Sequence, residues 1–141
     1  MNRASITMSS LPENISFARV VIAGFITPLD PSVDEVSDIK TAVSEAVTNA
    51  VIHGYPENTM GTVHMDLQSQ DKIITIAISD DGIGIADIDT ARQPLFTTKG
   101  DLERSGLGFT VMESFMDTVT VESVPGQGTT ITLTKTLASR E

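Results

Sequence analysis

Short segments in which apolar and polar residues alternate constrain the fold of this chain more than any other feature. Residues 63–67 and 74–78 alternate on either side of a short polar turn, and residues 119–121 and 131–133 alternate around a turn rich in glycine. Residues 4–8 show the same pattern near the amino terminus. A period of two puts every second side chain on one face of a strand, so these segments predict strands with one buried face. Because two pairs are joined by short turns, we expect a mainly antiparallel sheet.

Three helices are predicted alongside these strands. Apolar residues recur at three-to-four spacing from about residue 16 to residue 26, and a longer apolar stripe runs from residue 32 or 34 to about residue 53. A third helix is expected from about residue 108 to residue 117, and a further short helix is expected near residues 87–92. Helices that cover one face of an antiparallel sheet make a two-layer sandwich, so the predicted fold class is α+β.

Composition and length favour one soluble domain. No repeat, low-complexity tract or long linker divides residues 1–141, and a chain of this length can bury about two-thirds of its unfolded surface. There is no cysteine, which excludes a disulfide framework and a thiolate metal site. The 9 basic and 19 acidic residues argue against a nucleic-acid surface and suggest a basic partner, if any. We find no signal-peptide pattern and no run of about 20 apolar residues, so we expect a cytoplasmic protein that does not insert into membranes.

Glu45 and Asn49 are the first pair of residues that could carry chemistry. They are four positions apart on the long predicted helix and so project from the same face. An Asn side-chain oxygen is a suitable ligand for magnesium, which takes few protein ligands and keeps waters and phosphate oxygens. A carboxylate one turn earlier can orient or deprotonate a nucleophile at a terminal phosphate. The same pair is also common on solvated helix faces, so it does not establish a site by itself.

A second group lies at Asp80 to Gly84, directly after the strand at residues 74–78. Gly82 and Gly84 allow positive φ and a close approach of the backbone to a ligand. The Asp80 carboxylate can accept a hydrogen bond from an exocyclic amine such as that of adenine. An ordinary Asp/Gly turn has the same composition, and that alternative stays open.

A third group closes a long irregular stretch, residues 82–105, of the kind that usually forms a functional loop or lid. Gly106 and Gly108 open the third predicted helix, whose amino terminus offers free N–H groups and a positive dipole to phosphate. The motif follows a loop and lacks the Lys-Ser/Thr of a P-loop, so neither a Rossmann fold nor a P-loop is supported. Thr130, at the start of the last strand, could reach the base of a nucleotide or simply be a good strand residue.

The order of these motifs resembles the Bergerat-fold ATPases and kinases, the superfamily of gyrase, the Hsp90 chaperone, histidine kinases and MutL. Within that superfamily the chain resembles the anti-sigma factors of endospore-forming bacteria that are also serine kinases. The segments that carry this second likeness are residues 16–19, 44–50, 91–99 and 102–106. The likeness covers nearly the full length of the chain.

The resemblance implies ATP and Mg²⁺ as cofactors and gives each motif a role. Glu45 would be the general base, Asn49 the magnesium ligand and Asp80 the adenine contact, while Gly82 and Gly84 would form the floor beneath the nucleotide. The residues implied near the phosphates are Arg104, Ser105, Gly106, Gly108 and Phe109, and Thr130 is implied near the base.

The resemblance also implies partners. An ATP-bound homodimer would hold a sporulation sigma factor inactive, and the same protein would phosphorylate a serine of an anti-anti-sigma factor. Arg19, near the start of the first helix, would be a partner contact, although a solvated arginine has the same sequence pattern. Closure of a lid at residues 86–105 around the γ-phosphate would couple nucleotide state to partner choice.

Three other functions compete with this interpretation. A nucleotide-dependent binding module without transferase activity would need the same pocket but no base. A histidine kinase is disfavoured because neither His53 nor His64 lies on a preceding dimerisation helix. A gyrase-like ATPase is disfavoured because such enzymes generally use a lysine from an additional domain.

Overall fold

Five antiparallel strands form one sheet in the computed structural model, which describes residues 1–55, 61–85 and 106–139. The strands are β1 (Asn2–Ser9), β2 (Thr62–Gln70), β3 (Ile73–Asp80), β4 (Thr118–Val124) and β5 (Gly128–Thr136). Their order across the sheet is β1-β2-β3-β5-β4, and every neighbouring pair is antiparallel. The predicted α+β class and the antiparallel sheet are confirmed.

The helices cover one face of this sheet. They are α1 (Glu13–Ile26), α2 (Val33–Thr48) and α3 (Gly106–Phe115). A 3-10 turn (Thr27–Leu29) directly follows α1. The predicted two-layer sandwich is therefore confirmed as well. None of the helices in the described part of the chain has the length and apolar character needed to cross a membrane.

The alternation along the strands separates an apolar face from a polar one. The side chains that face the helices are buried, among them Val63, Met65, Leu67, Ile74, Ile76, Ile78, Ile131 and Leu133. The opposite, open face carries mainly hydroxyl and other polar side chains, which pair across strands. Thr7 Oγ1 lies 3.2 Å from His64 Nδ1, and Thr130 Oγ1 donates to Ser79 Oγ at 3.1 Å. A strand residue an even number of positions from a buried residue therefore lies on the helix side, and one an odd number away lies on the open face.

A capping box fixes the start of α2. The Ser32 hydroxyl accepts a hydrogen bond from Glu35 N at 3.1 Å, and Glu35 Oε1 accepts one from Ser32 N at 2.8 Å. Glu35 Oε2 also accepts a hydrogen bond from Ala138 N at 2.8 Å, which ties the segment after β5 to this helix. These backbone N–H groups hold the pKa of the Glu35 carboxyl below its usual value.

Three predicted helix boundaries differ from the structure. Helix α1 begins at Glu13 rather than about residue 16, because Pro12, with φ of −55°, is already preset for a helix start. Helix α3 begins at Gly106 rather than about residue 108, so both glycines of its motif lie in its first turn. Helix α2 does not continue to residue 53 as an α-helix, because the chain widens into a π-helical turn, Asn49–Gly54. The prediction of one regular helix was wrong there.

The expected lid at residues 86–105 and the short helix expected near residues 87–92 lie outside the described residues. Arg104 and Ser105 lie outside them as well.

Candidate nucleotide-binding site

Glu45 and Asn49 lie where α2 passes into the π-helical turn. Both side chains are half-buried, and the Asn49 N–H bonds to the carbonyls of Glu45 and Ala46. No hydrogen bond joins the Asn49 amide group or the Glu45 carboxylate to another residue in the described part of the chain. Half-buried polar groups that have no partner among the described residues are suited to bind a ligand.

The first turn of α3 lies against the Glu45 carboxylate. A Cβ atom added at Gly108 would lie 3.1 Å from Glu45 Oε2, so the absence of a side chain there lets the two helices approach. Burial raises the pKa of the Glu45 carboxyl above its ordinary value. The carboxylate is therefore a better proton acceptor than an exposed one, and it faces a helix amino terminus that favours negative charge.

Asp80 is a buried carboxylate at the end of β3, with 5 % of its surface exposed. Burial raises the pKa of Asp80, and the neighbouring charge of Asp81 raises it further, while backbone N–H groups of Gly82 and Thr129 lower it. The contact from Gly82 is a hydrogen bond from its N–H to Asp80 Oδ1 at 2.9 Å. A Cβ atom added at Gly54 would lie 2.8 Å from Asp80 Cγ, so the carboxylate faces the end of the π-helical turn.

The two glycines after β3 let this segment pass between two other backbones. A Cβ atom at Gly82 would lie 1.9 Å from the carbonyl oxygen of Gly54. Gly84 has φ of +77°, and a Cβ atom there would lie 2.4 Å from the carbonyl oxygen of Val124. Hydrogen bonds fix the segment, because Ile83 N donates to Gly54 O at 3.0 Å and Gly126 N donates to Ile83 O at 2.6 Å. The glycines are therefore already required by the packing of the protein on itself.

The two threonines at the start of β5 lie on opposite faces of the sheet. Thr129 pairs with Asp80 across β3 and β5 and is buried on the helix side. Its Oγ1 lies 2.8 Å from Ser123 Oγ. Thr130 lies on the open face with Ser79, so the structure does not bring it to Asp80. The alternation along the strand already indicates that Thr129 faces the helices, because it lies two positions from the buried Ile131.

The remaining expected site residues fall into different environments. Gly106 begins α3 and Gly108 lies beside Glu45, whereas the Phe109 side chain is 2 % exposed and belongs to the apolar core. Only the backbone of Phe109 is therefore available to a ligand. Arg19 is exposed on α1.

Sequence reasoning missed Gly54 and Tyr55, which directly follow the end of the long predicted helix. The Tyr55 hydroxyl accepts a hydrogen bond from Asp81 N at 2.7 Å and donates one to Thr62 O at 2.9 Å. No local pattern indicates these contacts, because the three residues come from different parts of the chain.

These residues fit a nucleotide and a magnesium ion. The side-chain oxygen of Asn49, which pairs with none of the described residues, is of the type that Mg²⁺ binds together with phosphate oxygens. The buried Asp80 carboxylate is an acceptor for an amine, and the first turn of α3 directs backbone N–H groups outward, as anion sites do. We refer to these residues together as the candidate cleft, with a phosphate end at Glu45, Asn49 and the first turn of α3 and a base end at Asp80 and Gly54. The π-helical turn joins the two ends, since it begins at Asn49 and ends at Gly54 beside Asp80.

A five-stranded antiparallel sheet with helices on one face, together with the residues of the candidate cleft, is the arrangement expected of a nucleotide-binding domain. Residues 8–135 match the family model of the histidine kinase-like ATPase domain. The chain therefore belongs to the histidine kinase-like ATPase domain family and, within it, to the group of the anti-sigma F factors. It is 57% identical over 137 residues to the anti-sigma F factor of Bacillus velezensis, covering 97% of this chain and 94% of that one. Identity to the anti-sigma F factor of Bacillus subtilis is 56% over the same shares of the two chains.

Solved structures share the fold at lower identity. The structure of the RsbU and RsbW domains of a Mycobacterium tuberculosis protein gives a TM-score of 0.72 at 20% identity, covering 99% of this chain and 34% of that chain. The catalytic domain of the histidine kinase ThkA gives a TM-score of 0.58 at 18% identity, covering 97% of each chain.

Proposed function

We propose that this protein is an anti-sigma factor that inhibits a sporulation sigma factor and, as an ATP-dependent protein-serine kinase, phosphorylates the anti-anti-sigma factor. One observation carries the kinase part of the proposal. The Glu45 carboxylate has no hydrogen-bond partner among the described residues, its pKa is raised by burial, and it faces the first turn of α3 at Gly108. The names of the relatives support the anti-sigma part.

In this proposal the base of ATP binds at one end of the cleft and its phosphates bind at the other. Asp80 accepts a hydrogen bond from the exocyclic amine of adenine, and Thr129, rather than Thr130, is the threonine beside it. Asn49 holds the magnesium ion, and backbone N–H groups at Gly106 and Gly108 hold phosphate oxygens. We place Arg104 and Ser105 beside the phosphates on the strength of the resemblance alone.

Glu45 is the proton acceptor of the transfer. The hydroxyl oxygen of the substrate serine forms a bond to the γ-phosphorus, and the bond from that phosphorus to the bridging oxygen of ADP breaks. The serine proton passes to Glu45, and the electron pair of the broken bond stays on ADP. Magnesium, when bound, neutralises part of the charge on the phosphates. The protein supplies orientation and a fixed electrostatic environment, which phosphoryl transfer chiefly requires.

The surface of α1 is the proposed partner contact. Arg19 is exposed on it, and the apolar side chains of Phe17 and Val20 beside it are 46% and 68% exposed. A charged group next to exposed apolar surface is typical of a protein contact. We propose the same helix face for the sigma factor or for the second copy of the homodimer. A sigma factor as partner makes the cytoplasm the working compartment.

The second candidate function is an ATP-dependent binding module without transferase activity. To separate the two, the protein is incubated with labelled ATP, magnesium and the candidate anti-anti-sigma protein, and phosphoserine is scored. Glu45→Gln should lower the transfer rate by about a hundredfold or more, the usual contribution of a general base, while ATP affinity stays near that of the wild type. The matched control is Glu122→Gln, which neutralises an exposed carboxylate of β4 on the open face.

Each outcome decides between the functions. ATP binding without any transfer by the wild type would favour the binding module. Undiminished transfer by Glu45→Gln would show that another group accepts the proton.

A further inference from the structure

The Tyr55 hydroxyl joins two backbone segments at the base end of the cleft. It accepts a hydrogen bond from Asp81 N at 2.7 Å and donates one to Thr62 O at 2.9 Å. Tyr55 directly follows the π-helical turn, Asp81 follows β3, and Thr62 begins β2. One hydroxyl therefore ties the end of the turn to the ends of two neighbouring strands.

The ring of Tyr55 is held in place by the backbone beneath it. A Cβ atom added at Gly61 would lie 2.2 Å from two ring carbons, so the ring lies directly on this glycine. Gly61 is itself fixed, since Ser10 N donates to Gly61 O at 3.0 Å and Gly61 N donates to the buried Ser10 hydroxyl at 2.7 Å. Because both its ring and its hydroxyl are held, Tyr55 offers the Asp81 N–H a hydrogen-bond acceptor in a fixed position.

The Asp81 amide belongs to the peptide unit that begins at Asp80. Fixing it limits the rotation of the backbone on the carboxyl side of Asp80, and the Gly82 N–H fixes one carboxylate oxygen at 2.9 Å. On the opposite side, Gly54 lies against the carboxylate and Gly54 O accepts from Ile83 N. The direction of the Asp80 carboxylate thus depends on contacts that Tyr55 and its neighbour Gly54 make.

We propose that Tyr55 is a positioning residue for base recognition, which holds Asp80 in the orientation that accepts the exocyclic amine of adenine. This inference rests on the proposed function, because it requires Asp80 to bind that amine. Tyr55 acts through the backbone of Asp81 and does not need to touch the nucleotide. Its loss should therefore weaken discrimination between bases and leave phosphate binding unchanged.

The variant Tyr55→Phe tests this, because it keeps the ring on Gly61 and removes only the hydroxyl. ATP and inosine triphosphate, which lacks the exocyclic amine, are titrated with magnesium into the full chain and followed by calorimetry. The wild type should prefer ATP. In Tyr55→Phe, affinity for ATP should fall about fivefold, which corresponds to about 1 kcal/mol, and affinity for inosine triphosphate should stay the same. The control Thr118→Val removes a hydroxyl that pairs with Thr134 on the open face, and it should change neither affinity.

Amide hydrogen exchange gives a second measurement that a general loss of stability would not reproduce. The Asp81 amide should exchange several-fold faster in Tyr55→Phe, while amides in the middle of β3 keep their wild-type rates. An unchanged Asp81 amide would overturn the inference, and so would an equal loss of affinity for both nucleotides. A wild type that binds ATP without preferring it would contradict the proposed role of Asp80 itself. A wild type that prefers ATP and a variant with the same preference would contradict only the role of Tyr55.

Discussion

Replacing Gly82 by alanine should destabilise the fold strongly, although Gly82 lies in a loop after β3. The added Cβ atom would lie 1.9 Å from Gly54 O, 2.4 Å from Gly54 C and 2.8 Å from Gly54 Cα, where ordinary contact begins at 3.4 Å. All three are backbone atoms, so no side-chain rotation relieves the contact. The φ angle of Gly82 is outside the left-handed region, so the cost arises from this contact alone.

The size of the effect follows from what must move. The two backbones have to separate by more than an ångström, which breaks the hydrogen bond from Ile83 N to Gly54 O. Overpacking costs about 1–3 kcal/mol, and a lost hydrogen bond costs about 1 kcal/mol. The smaller conformational freedom of alanine in the unfolded chain offsets about 0.5–1 kcal/mol. We expect a net loss of about 1–3.5 kcal/mol in the free energy of unfolding.

Urea unfolding measures this loss, and the midpoint should fall by about 1 M at an unchanged slope. The matched control is Gly24→Ala in α1, where a Cβ atom would meet nothing within 4 Å. Because alanine favours a helix over glycine, that variant should gain about 0.5–1 kcal/mol. A Gly82→Ala protein within about 0.5 kcal/mol of the wild type would refute the packing argument, and ATP titration of the same protein would show whether the cleft still forms.

Three further substitutions, at Asp80, Thr129 and Thr130, test the base end of the cleft. Burial raises the pKa of Asp80, so the charged side chain lowers stability at neutral pH, and this cost disappears as the pH falls below the unfolded pKa. Asp80→Asn should therefore be at least as stable as the wild type in urea at neutral pH, with a smaller advantage at acidic pH. Its affinity for ATP should fall about tenfold or more. A variant that is less stable than the wild type at neutral pH would contradict the stability argument. Thr129→Val should weaken ATP binding about threefold or more in calorimetry, whereas the ATP affinity of Thr130→Val should stay within about twofold of the wild type. The reverse order would show that Thr130, and not Thr129, lies on the face of β5 that binds the nucleotide.

Much of the architecture was predictable because it depends on local periodicity. The period of two in the strands and of three to four in the helices can be recognised from residues close together in the sequence. The α+β sandwich follows because the apolar side of each element must be buried. The motif order also predicted which short segments form the candidate site. Boundaries were less accurate, as with Pro12, whose preset φ starts α1 earlier than its apolar stripe does.

The sequence by itself therefore determined the class of fold, the order of its elements and the segments that form the candidate site. Only the tertiary structure decided which side chains meet there. The pairing of Asp80 with Thr129, the contact of Gly54 with Gly82 and the hydrogen bond from Asp81 to the Tyr55 hydroxyl each join residues far apart in the chain. Such contacts depend on strand register and on the distance between packed backbones, and no spacing within a single segment encodes either.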